Sequence, residues 1–444
     1  MDKKAVVISS DRSGSGKSSF SIFLSRFFSN QQLKVIPFKC GPDYIDTLHL
    51  KYASKNYAYN LDTVLMNREK LKYNFTKKLL ENNVAIVEGV MGFYDGVDFK
   101  SFYGSTYDIS KTLCLPVIFI LDVSSSSYTV AARLKGLISL VDDINVVGVI
   151  LNKVGSTKHE SMVRNAVEYH TGVEVIGAVP KLKEIEIASR HLGIKTAIEM
   201  EKDFYEKLME EYIKYANVDK IVDKISYIPE QINIHDFTYN KQKKVAYVAY
   251  DEAFNFYYHD NLDYLENNGF KIKFFSPLEN EVPDNPDFIY IGGGYPELFA
   301  KKLAKCIEVK EAIRLFAKRG VPILAECGGM MYLSKGIFTA DGFYEMCNLF
   351  DFTVEMTKKR QSLGYVKVKA MIDTYYFEQG EEFVGHEFHY SRIKESKEDF
   401  VFEVYKLTGE ERSFDGFYRG NALACYTHFH FLSENSIVKN LIRG

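Results

Sequence analysis

The first half of the chain alternates short apolar runs with stretches of helical periodicity. The runs are apolar at almost every position, which is typical of strands buried on both faces of a sheet. Alternation of this kind predicts βαβ units and a parallel sheet. The predicted strands are Ala5–Ile8, Lys34–Phe38, Val84–Val87, Val117–Leu121, Val146–Leu151 and Val175–Ala178, with helices such as Lys17–Phe28 and Glu160–His170 between them.

Length and pattern together predict two domains. At 444 residues the chain is too long for a single hydrophobic core. Residues 219–244 are polar without clear periodicity, and a fresh apolar strand begins at Val245. We therefore expect domains at 1–235 and 245–440, with 219–244 as an approximate linker. The second domain repeats the α/β pattern and becomes more β-like beyond residue 338.

Composition narrows the classes of partner and compartment. A net charge of −3 gives no basic field, which argues against nucleic acid as a partner. No apolar run approaches the roughly 18 residues that span a bilayer, and the N-terminus enters a strand without a secretory signal. The six cysteines are scattered without CxxC pairing, which fits a reducing compartment. We expect a cytoplasmic protein that binds neither nucleic acid nor membrane.

A glycine-rich turn follows the first predicted strand and precedes a helix. Its residues are Ser13, Gly14, Ser15, Gly16, Lys17 and Ser18. Backbone N–H groups at such a turn bind phosphate, while Lys17 would reach the terminal phosphates and Ser18 would bind Mg²⁺. Asp11 stands where GxxxxGK[ST] begins with glycine, so the loop is a deviant one. The alternative is a plain connection between strand and helix.

Carboxylates follow two other predicted strands, at the edge where open α/β sheets bind ligands. Asp43 and Asp46 follow one strand, and Glu88 ends another. Mg²⁺ takes one or two carboxylates together with phosphate oxygens, so these three are predicted metal ligands beside Ser18. Lys39 would neutralise a phosphate or a substrate carboxylate, or is an ordinary exposed lysine.

The segment Asn152-Lys153-Val154-Gly155 resembles the guanine-binding N-K-x-D motif but lacks its acid. The missing carboxylate favours adenine over guanine as the base. Asn152 is then either a base contact or a plain asparagine at a strand end.

The second domain carries a cysteine at a sharp turn between a predicted strand and a helix. This elbow directs Cys327 to a helix N-terminus, which stabilises a thiolate. His428 and His430 alternate on a strand-like run, so both would point to one face and either could be the base. The predicted donors of an oxyanion hole are the backbone N–H groups of Gly293, Gly294 and Gly328.

Ten motifs in order along the chain resemble those of the cobyrinic acid a,c-diamide synthases, a family of the cobalamin pathway. They are SGxGK (Ser13–Lys17), FKxGPDYID (Phe38–Asp46), NLD (Asn60–Asp62), VEGVMGxYDG (Val87–Gly96), GVILNKVGS (Gly148–Ser156), SRHLG (Ser189–Gly193), GGGYPE (Gly292–Glu297), AECGGMMYL (Ala325–Leu333), GHEFHYS (Gly385–Ser391) and THxHF (Thr427–Phe431). The resemblance covers essentially the full length.

The resemblance implies a fold, an activity and a set of residues. The fold would be a dethiobiotin synthetase-like, doubly wound parallel sheet for the ATP-binding amide synthetase domain, followed by a class I glutamine amidotransferase-like α/β domain. Cys327 would hydrolyse glutamine with His428 as its base. Class I glutaminases carry an acid two residues after this histidine, and His430 stands there, so a Cys–His dyad is implied.

The implied reaction uses Mg²⁺ and ATP to convert the a- and c-acetate carboxylates of cobyrinic acid into acyl phosphates, which ammonia then attacks. Groups implied to contact the polyanionic substrate are Lys39, Tyr44, Arg190, His191 and Arg392. The protein would be a monomer or a homodimer. Hydrogenobyrinic acid and nickel sirohydrochlorin are alternative substrates, and a cobyric acid synthase-like amidotransferase is a related alternative. A ParA-like ATPase switch would leave Cys327 and His428 unexplained.

Overall fold

The chain divides into two units in the computed structural model, Met1–Ile234 and His235–Gly444. The structure describes residues 3–182, 197, 200–201, 203–231, 244–409, 411–433 and 441–442, and the backbone of 189–190 and 193–194. Within these residues, no helix is both long enough and apolar enough to cross a bilayer.

The first unit has ten described strands and eight described helices. The strands are β1 Lys3–Ser9, β2 Val35–Cys40, β3 Tyr59–Leu61, β4 Val84–Glu88, β5 Val117–Asp122, β6 Val146–Val154, β7 Val175–Pro180, β8 Ser189–Arg190, β9 Gly193–Ile194 and β10 Ser226–Tyr227. The helices are α1 Lys17–Asn30, α2 Ile45–Ser54, α3 Arg68–Glu81, α4 Thr106–Thr112, α5 Thr129–Ser139, α6 Thr157–Thr171, α7 Phe204–Tyr212 and α8 Val218–Lys224.

A parallel sheet forms the centre of this unit, with strand order β3-β2-β4-β1-β5-β6-β7. Along β1, Ala5 and Val7 pack into the core on one face while Val6 and Ile8 pack into the core on the other. This burial on two faces explains the continuous apolar runs, and all six predicted strands are confirmed.

The N-terminal part of the expected linker belongs to the packed first unit. Helix α8 buries Val218 and Ile221. Strand β10 then pairs antiparallel with β1, with Lys3 opposite Tyr227. The expected linker 219–244 is therefore too long at its N-terminal end, because this short helix and strand give too little periodicity to be recognised.

The second unit has fourteen described strands and four described α-helices. The strands are β11 Lys244–Ala249, β12 Phe270–Phe275, β13 Phe288–Ile291, β14 Ile323–Glu326, β15 Gly336–Thr339, β16 Gly342–Glu345, β17 Phe352–Met356, β18 Ser362–Ala370, β19 Glu382–His389, β20 Ser391–Ser396, β21 Phe402–Lys406, β22 Arg412–Asp415, β23 Phe417–Arg419 and β24 Ala422–Cys425. The helices are α9 His259–Asn267, α10 Ala300–Leu303, α11 Ile307–Lys318 and α12 Gly328–Leu333.

The main sheet of this unit has the order β12-β11-β13-β14-β24-β23, and only the edge strand β23 is antiparallel to its neighbour. Two further sheets of four strands each, β16-β15-β17-β20 and β19-β18-β21-β22, account for the β-rich pattern beyond residue 338. The predicted α/β class is confirmed for both units. In the main sheet of each unit, the carboxyl ends of the parallel strands meet at one edge, and the candidate residues lie there.

Candidate active site

The loop between β1 and α1 turns sharply at two glycines. Gly14 and Gly16 have φ angles of 75° and 103°, a region that side chains rarely adopt. A Cβ on Gly16 would lie only 2.2 Å from Nδ2 of Asn152, so no larger residue fits. Helix α1 begins directly afterwards at Lys17, whose Nζ donates to the carbonyls of Arg12 (2.9 Å) and Met91 (2.7 Å). The loop thus has the predicted shape, while phosphate binding itself stays a prediction.

Asp11 replaces the first glycine of the usual phosphate-binding loop, and the structure shows what its side chain does. Its Oδ2 lies 2.9 Å from Nη1 of Arg133, on α5. The same guanidinium donates through Nη2 to the carbonyl of Asp122, at 2.7 Å. The departure from the motif therefore anchors the start of the loop to β5 and α5.

A buried charge cluster lies at the carboxyl ends of β2 and β4. Nζ of Lys39 is 2.5 Å from Oδ2 of Asp46 and 2.7 Å from Oε1 of Glu88. The Ser18 hydroxyl donates to the same Glu88 oxygen at 2.6 Å. Glu88 Oε2 is buried and has no hydrogen-bond partner among the described residues. Three of the four predicted metal ligands, together with Lys39, are thus brought together.

Burial and neighbouring charges set the protonation of this cluster. Burial, with repulsion from Asp46, raises the pKa of Glu88 to about 7. Burial, with repulsion from Lys39, lowers the pKa of Lys17 to about 8. Burial also opposes the charge on Lys39, but Asp46 and Glu88 outweigh it and raise the Lys39 pKa well above its usual value. Lys39 is therefore a firmly charged, 3% exposed cation inside the site.

The fourth predicted ligand, Asp43, faces its own backbone. Its Oδ1 accepts the N–H of Asp46 at 2.8 Å, at the start of α2. Asn60 holds this turn in place, because its Nδ2 donates to the carbonyls of Gly41 (2.8 Å) and Asp43 (2.9 Å). Burial and Asp46 raise the pKa of Asp43 to about 6. The neighbouring Tyr44, a predicted substrate contact, is 8% exposed.

Asn152 supports the glycine-rich loop from the side. Its Nδ2 donates to the Ser15 carbonyl at 2.8 Å, and its Oδ1 accepts the N–H of Lys153 at 2.9 Å. Nζ of Lys153 in turn lies 2.9 Å from Oδ2 of Asp122. The contact between Asn152 and Ser15 places Nδ2 of Asn152 where a side chain at position 16 would lie. The role of Asn152 as a base contact stays a prediction.

In the second unit, Cys327 occupies a strained turn between β14 and α12. Its φ of 48° and ψ of −101° are rare for a residue with a side chain. The thiol is 7% exposed, and Sγ lies 3.8 Å from the carbonyl of Phe388 at the end of β19. The predicted elbow between strand and helix is present, and its cysteine is buried.

His428 pairs with Cys327 and with the residue before it. Nδ1 of His428 lies 3.5 Å from Oε2 of Glu326. Burial opposes a charge on the ring, but hydrogen bonds to Cys327 and Glu326 raise the pKa of His428 to about 10. The backbone is fixed by a two-way bridge: His428 N–H donates to the His386 carbonyl (2.8 Å), and His386 N–H donates back (3.1 Å).

His430 has different surroundings. Its Nε2 lies 3.6 Å from Oδ2 of Asp260, and its ring lies 4.8 Å from the ring of Tyr258. Strand β24 ends at Cys425, and the residues after it form only the isolated bridge at His428. The expected strand is therefore present only as this bridge, and the common face of the two histidines stays a prediction.

The glycines predicted to form the oxyanion hole border this pair. A Cβ on Gly293 would lie 2.6 Å from Cε1 of His428. A Cβ on Gly328 would lie 3.0 Å from the backbone nitrogen of Gly294, so these two segments approach closely. The helical hydrogen bonds of α12 begin with Met331 N–H donating to the Cys327 carbonyl (3.0 Å), which leaves the earlier N–H groups of the turn outside that pattern. Their role as donors stays a prediction.

Comparison with known proteins places both units in known families. The family model of a CobQ/CobB/MinD/ParA nucleotide binding domain matches residues 6–194, and that of a CobB/CobQ-like glutamine amidotransferase domain matches residues 245–436. A cobyrinate a,c-diamide synthase of Caldanaerobacter subterraneus is 39% identical over 99% of this chain and 98% of its own. The chain belongs to the cobyrinate a,c-diamide synthase family. The synthases of Picrophilus torridus (38%, over 100% and 99%) and Fusobacterium nucleatum (38%, over 99% and 100%) match equally fully.

In this member of the cobyrinate a,c-diamide synthase family, motif reasoning missed Glu326. Its side chain is 1% exposed, accepts from the Tyr290 hydroxyl (2.9 Å) and the Phe429 N–H (3.2 Å), and approaches His428. The available signal was an acid at the end of an otherwise apolar strand, directly before the cysteine. In class I glutaminases the acid follows the histidine, and the motifs therefore gave no reason to pair Glu326 with His428.

The other predicted substrate contacts of this family member are Arg392, Arg190 and His191. Arg392 is an exposed residue whose Nε donates to Oε1 of Glu355 at 2.6 Å. Arg190 and His191 lie outside the residues whose side chains the structure describes. Across the described residues, no group of three or more His, Cys, Asp or Glu side chains is arranged to hold a metal ion.

Proposed function

We propose that this protein amidates the a- and c-acetate carboxylates of cobyrinic acid with ammonia released from glutamine, driven by ATP. The observation that carries the proposal is the pair of clusters in a chain matched end to end by cobyrinate a,c-diamide synthases. In one cluster Ser18 donates to Glu88, whose charge also acts on Lys17, and the other cluster joins Cys327 to His428. We assign the synthetase to residues 1–235 and the glutaminase to 245–440.

Glutamine hydrolysis at Cys327 follows from the second cluster. The sulfur attacks the side-chain amide carbon of glutamine while His428 takes the thiol proton. The negative oxygen of the tetrahedral intermediate would be stabilised by backbone N–H groups near Gly294 and Gly328. His428 then returns the proton to the departing ammonia, and water hydrolyses the thioester to glutamate. The imidazolium is favoured because hydrogen bonds to Cys327 and Glu326 raise the pKa of His428.

Carboxylate activation follows from the first cluster. A substrate carboxylate would attack the γ-phosphate of ATP with release of ADP. Ammonia would then attack the carbonyl carbon of the acyl phosphate and displace phosphate to give the amide. Lys17, buried with its Nζ on the loop carbonyls, would compensate charge on the transferring phosphoryl group. Lys39 would do the same for a substrate carboxylate or a phosphate.

The donor set at Glu88 also fits a magnesium ion. Mg²⁺ prefers hard oxygen ligands and binds through one or two carboxylates plus phosphates. Glu88 offers a buried carboxylate oxygen without a partner among the described residues, and Ser18 offers a hydroxyl beside it. We propose that these two, with Asp46 nearby, hold Mg²⁺ with the nucleotide. Bound there, the ion would neutralise charge on the phosphates.

The proposal is tested by amidation of cobyrinic acid by the wild-type protein and by Cys327→Ser, with glutamine or ammonia as nitrogen source. The variant should lose glutamine-dependent amidation by roughly 10³-fold or more, since it lacks the nucleophile, and should keep ammonia-dependent amidation. Cys306→Ser is a matched control: this buried cysteine of the same unit contacts the carbonyls of Leu278 and Lys302 instead.

Two results would contradict the proposal. Loss of both activities in folded Cys327→Ser would show that the two reactions are not separable as proposed. Wild-type protein could instead amidate hydrogenobyrinic acid or nickel sirohydrochlorin much faster than cobyrinic acid in a parallel panel. That result would support the proposed reaction but contradict cobyrinic acid as its substrate.

A further inference from the structure

Glu326 and Cys327 are consecutive residues that approach one histidine. Side chains alternate across a strand, so neighbours at the end of β14 leave it toward opposite faces. Cys327 packs in the core that contains Ile291 and Ala325. The donors to Glu326, Tyr290 and Phe429, belong to the core on the other face. The ring of His428 lies where the sheet ends and pairs with both.

From this arrangement we infer that Glu326 is the positioning acid of the glutaminase site: its carboxylate holds Nδ1–H of His428, so that the other ring nitrogen serves Cys327. The inference rests on the proposed glutaminase function. Glu326 takes no part in the proton transfer, because the thiol proton moves only between Sγ of Cys327, Nε2 of His428 and the departing ammonia. Orientation of the ring and stabilisation of the imidazolium are the two effects that such an acid supplies in a triad.

Among the described groups that contact Glu326, His428 is the one that can carry a positive charge. Its hydrogen-bond donors are neutral: the Tyr290 hydroxyl at 2.9 Å and the Phe429 N–H at 3.2 Å. Within the described part of the chain, no lysine or arginine pairs with Glu326, and its one ion pair is with His428. A buried carboxylate without a cation is strongly unfavourable. Protonation of His428 therefore stabilises this site.

The position two residues after the histidine, where class I glutaminases carry the acid, does not supply a carboxylate here. Two residues after His428 stands His430, which lies beside Asp260 instead. The distance of 3.5 Å between Glu326 and His428 is long for a hydrogen bond, but such contacts often shorten only when substrate is bound. In this chain the acid therefore stands directly before the nucleophile rather than after the histidine.

Glu326→Gln tests the inference, because glutamine keeps the shape and an acceptor oxygen but removes the charge. We expect kcat for glutamine hydrolysis to fall on the order of 10²–10⁴-fold with little change in KM. The pH midpoint for iodoacetamide alkylation of Cys327, followed by mass spectrometry of its peptide, should rise because the imidazolium is less stable. Other titratable groups near Cys327, Glu326 and His428 are Tyr257, Tyr290, His386, His389, Cys425 and Tyr426, and the substitution leaves all six in place.

Asp260→Asn is the matched control. It removes a buried carboxylate beside a buried histidine of the same segment, 3.6 Å from His430, but not beside Cys327. It should leave the alkylation midpoint of Cys327 where it is. Glu326→Asp, which keeps the charge, should recover part of the midpoint and serves as the second variant if Glu326→Gln does not fold. Ammonia-dependent amidation should be unaffected in all three variants.

The outcomes separate this inference from the proposed function. If Cys327→Ser and His428→Asn lose glutaminase activity while Glu326→Gln keeps the wild-type kcat and alkylation profile, the inference is overturned and the function stands. If Asp260→Asn shifts the midpoint as far as Glu326→Gln does, the effect is one of buried charge in general and the inference is again overturned. If wild-type protein has no glutaminase activity, the proposed function itself fails.

Discussion

His428 and His430, two positions apart in the chain, differ in the acid each one faces. His428 pairs with Cys327 and Glu326, whereas His430 lies beside Asp260 and the ring of Tyr258. Both rings are at least 98% buried, so burial does not distinguish them. Strand β24 ends at Cys425, so the segment that carries the two histidines is held by the bridge at His428 rather than by a continuous strand.

A pair of substitutions separates the two roles. His428→Asn should lower glutamine hydrolysis by about 10²–10⁴-fold, since the base for Cys327 is lost, and ammonia-dependent amidation should persist. His430→Asn should lower glutamine hydrolysis far less, through packing alone. The measurement is the pH dependence of Cys327 alkylation in both variants. A thiolate that persists at neutral pH in His428→Asn but vanishes in His430→Asn would reverse the assignment.

Residues that end parallel strands could be brought together from the sequence, but the pairing of Glu326 with His428 could not be predicted. Lys17, Ser18 and Glu88 were predicted at one edge of one sheet, and the structure brings Ser18 within 2.6 Å of Glu88. The pairing of Glu326 with His428 joins positions 102 apart in the chain, and it depends on which way each side chain leaves the end of its strand. Spacing along the chain carries no such information.

At the scale of elements, the loop after β13 limits how closely His428, in the segment after β24, can approach it. Gly293 accepts through its carbonyl from the N–H groups of Asn255 and Phe256, both at 3.1 Å, so its position is fixed. A Cβ there would lie 2.6 Å from Cε1 and 3.4 Å from Nε2 of His428. The glycine thus sets the position of the histidine ring.

Gly293→Ala should displace that ring and lower kcat for glutamine hydrolysis by roughly 10- to 10²-fold, because misplacement by about 1 Å has effects of this size. Ammonia-dependent amidation and the melting temperature should change little. Gly409→Ala is the matched control, since a Cβ there meets only the nitrogen of Glu411 at 3.9 Å. Equal rates for the two alanine variants would show that the loop does not set the ring position.

Elements with a strong apolar pattern were predictable, and short ones were not. The six predicted strands, β1, β2 and β4 to β7, are apolar runs of four or more residues that pack on both faces of the sheet. Strand β3 has three residues and β10 has two, which is too short for periodicity to register. Both are formed by pairing with distant strands, β3 with β2 and β10 with β1.

At the scale of the whole molecule, two chemically different clusters reside in separate units of one chain. The cluster in Met1–Ile234 is rich in charge, with Lys17, Lys39, Asp46 and Glu88 buried together. The cluster in His235–Gly444 has one thiol, one imidazole and one carboxylate. Because each cluster is complete within its unit, a substitution in one should leave the chemistry of the other intact.

Lys17→Ala tests this independence from the nucleotide side. Its Nζ donates to the carbonyls of Arg12 and Met91. Removal of this charge should lower amidation on the order of 10²-fold with glutamine and with ammonia alike, because the transferring phosphoryl group loses compensation in both cases. Cys327 alkylation should keep its wild-type pH profile. Lys78→Ala, which removes another buried lysine of the same unit, 3.4 Å from the ring centroid of Tyr59, is the control for stability. A Lys17→Ala protein that loses amidation with glutamine only would place this lysine in ammonia delivery rather than in phosphoryl transfer.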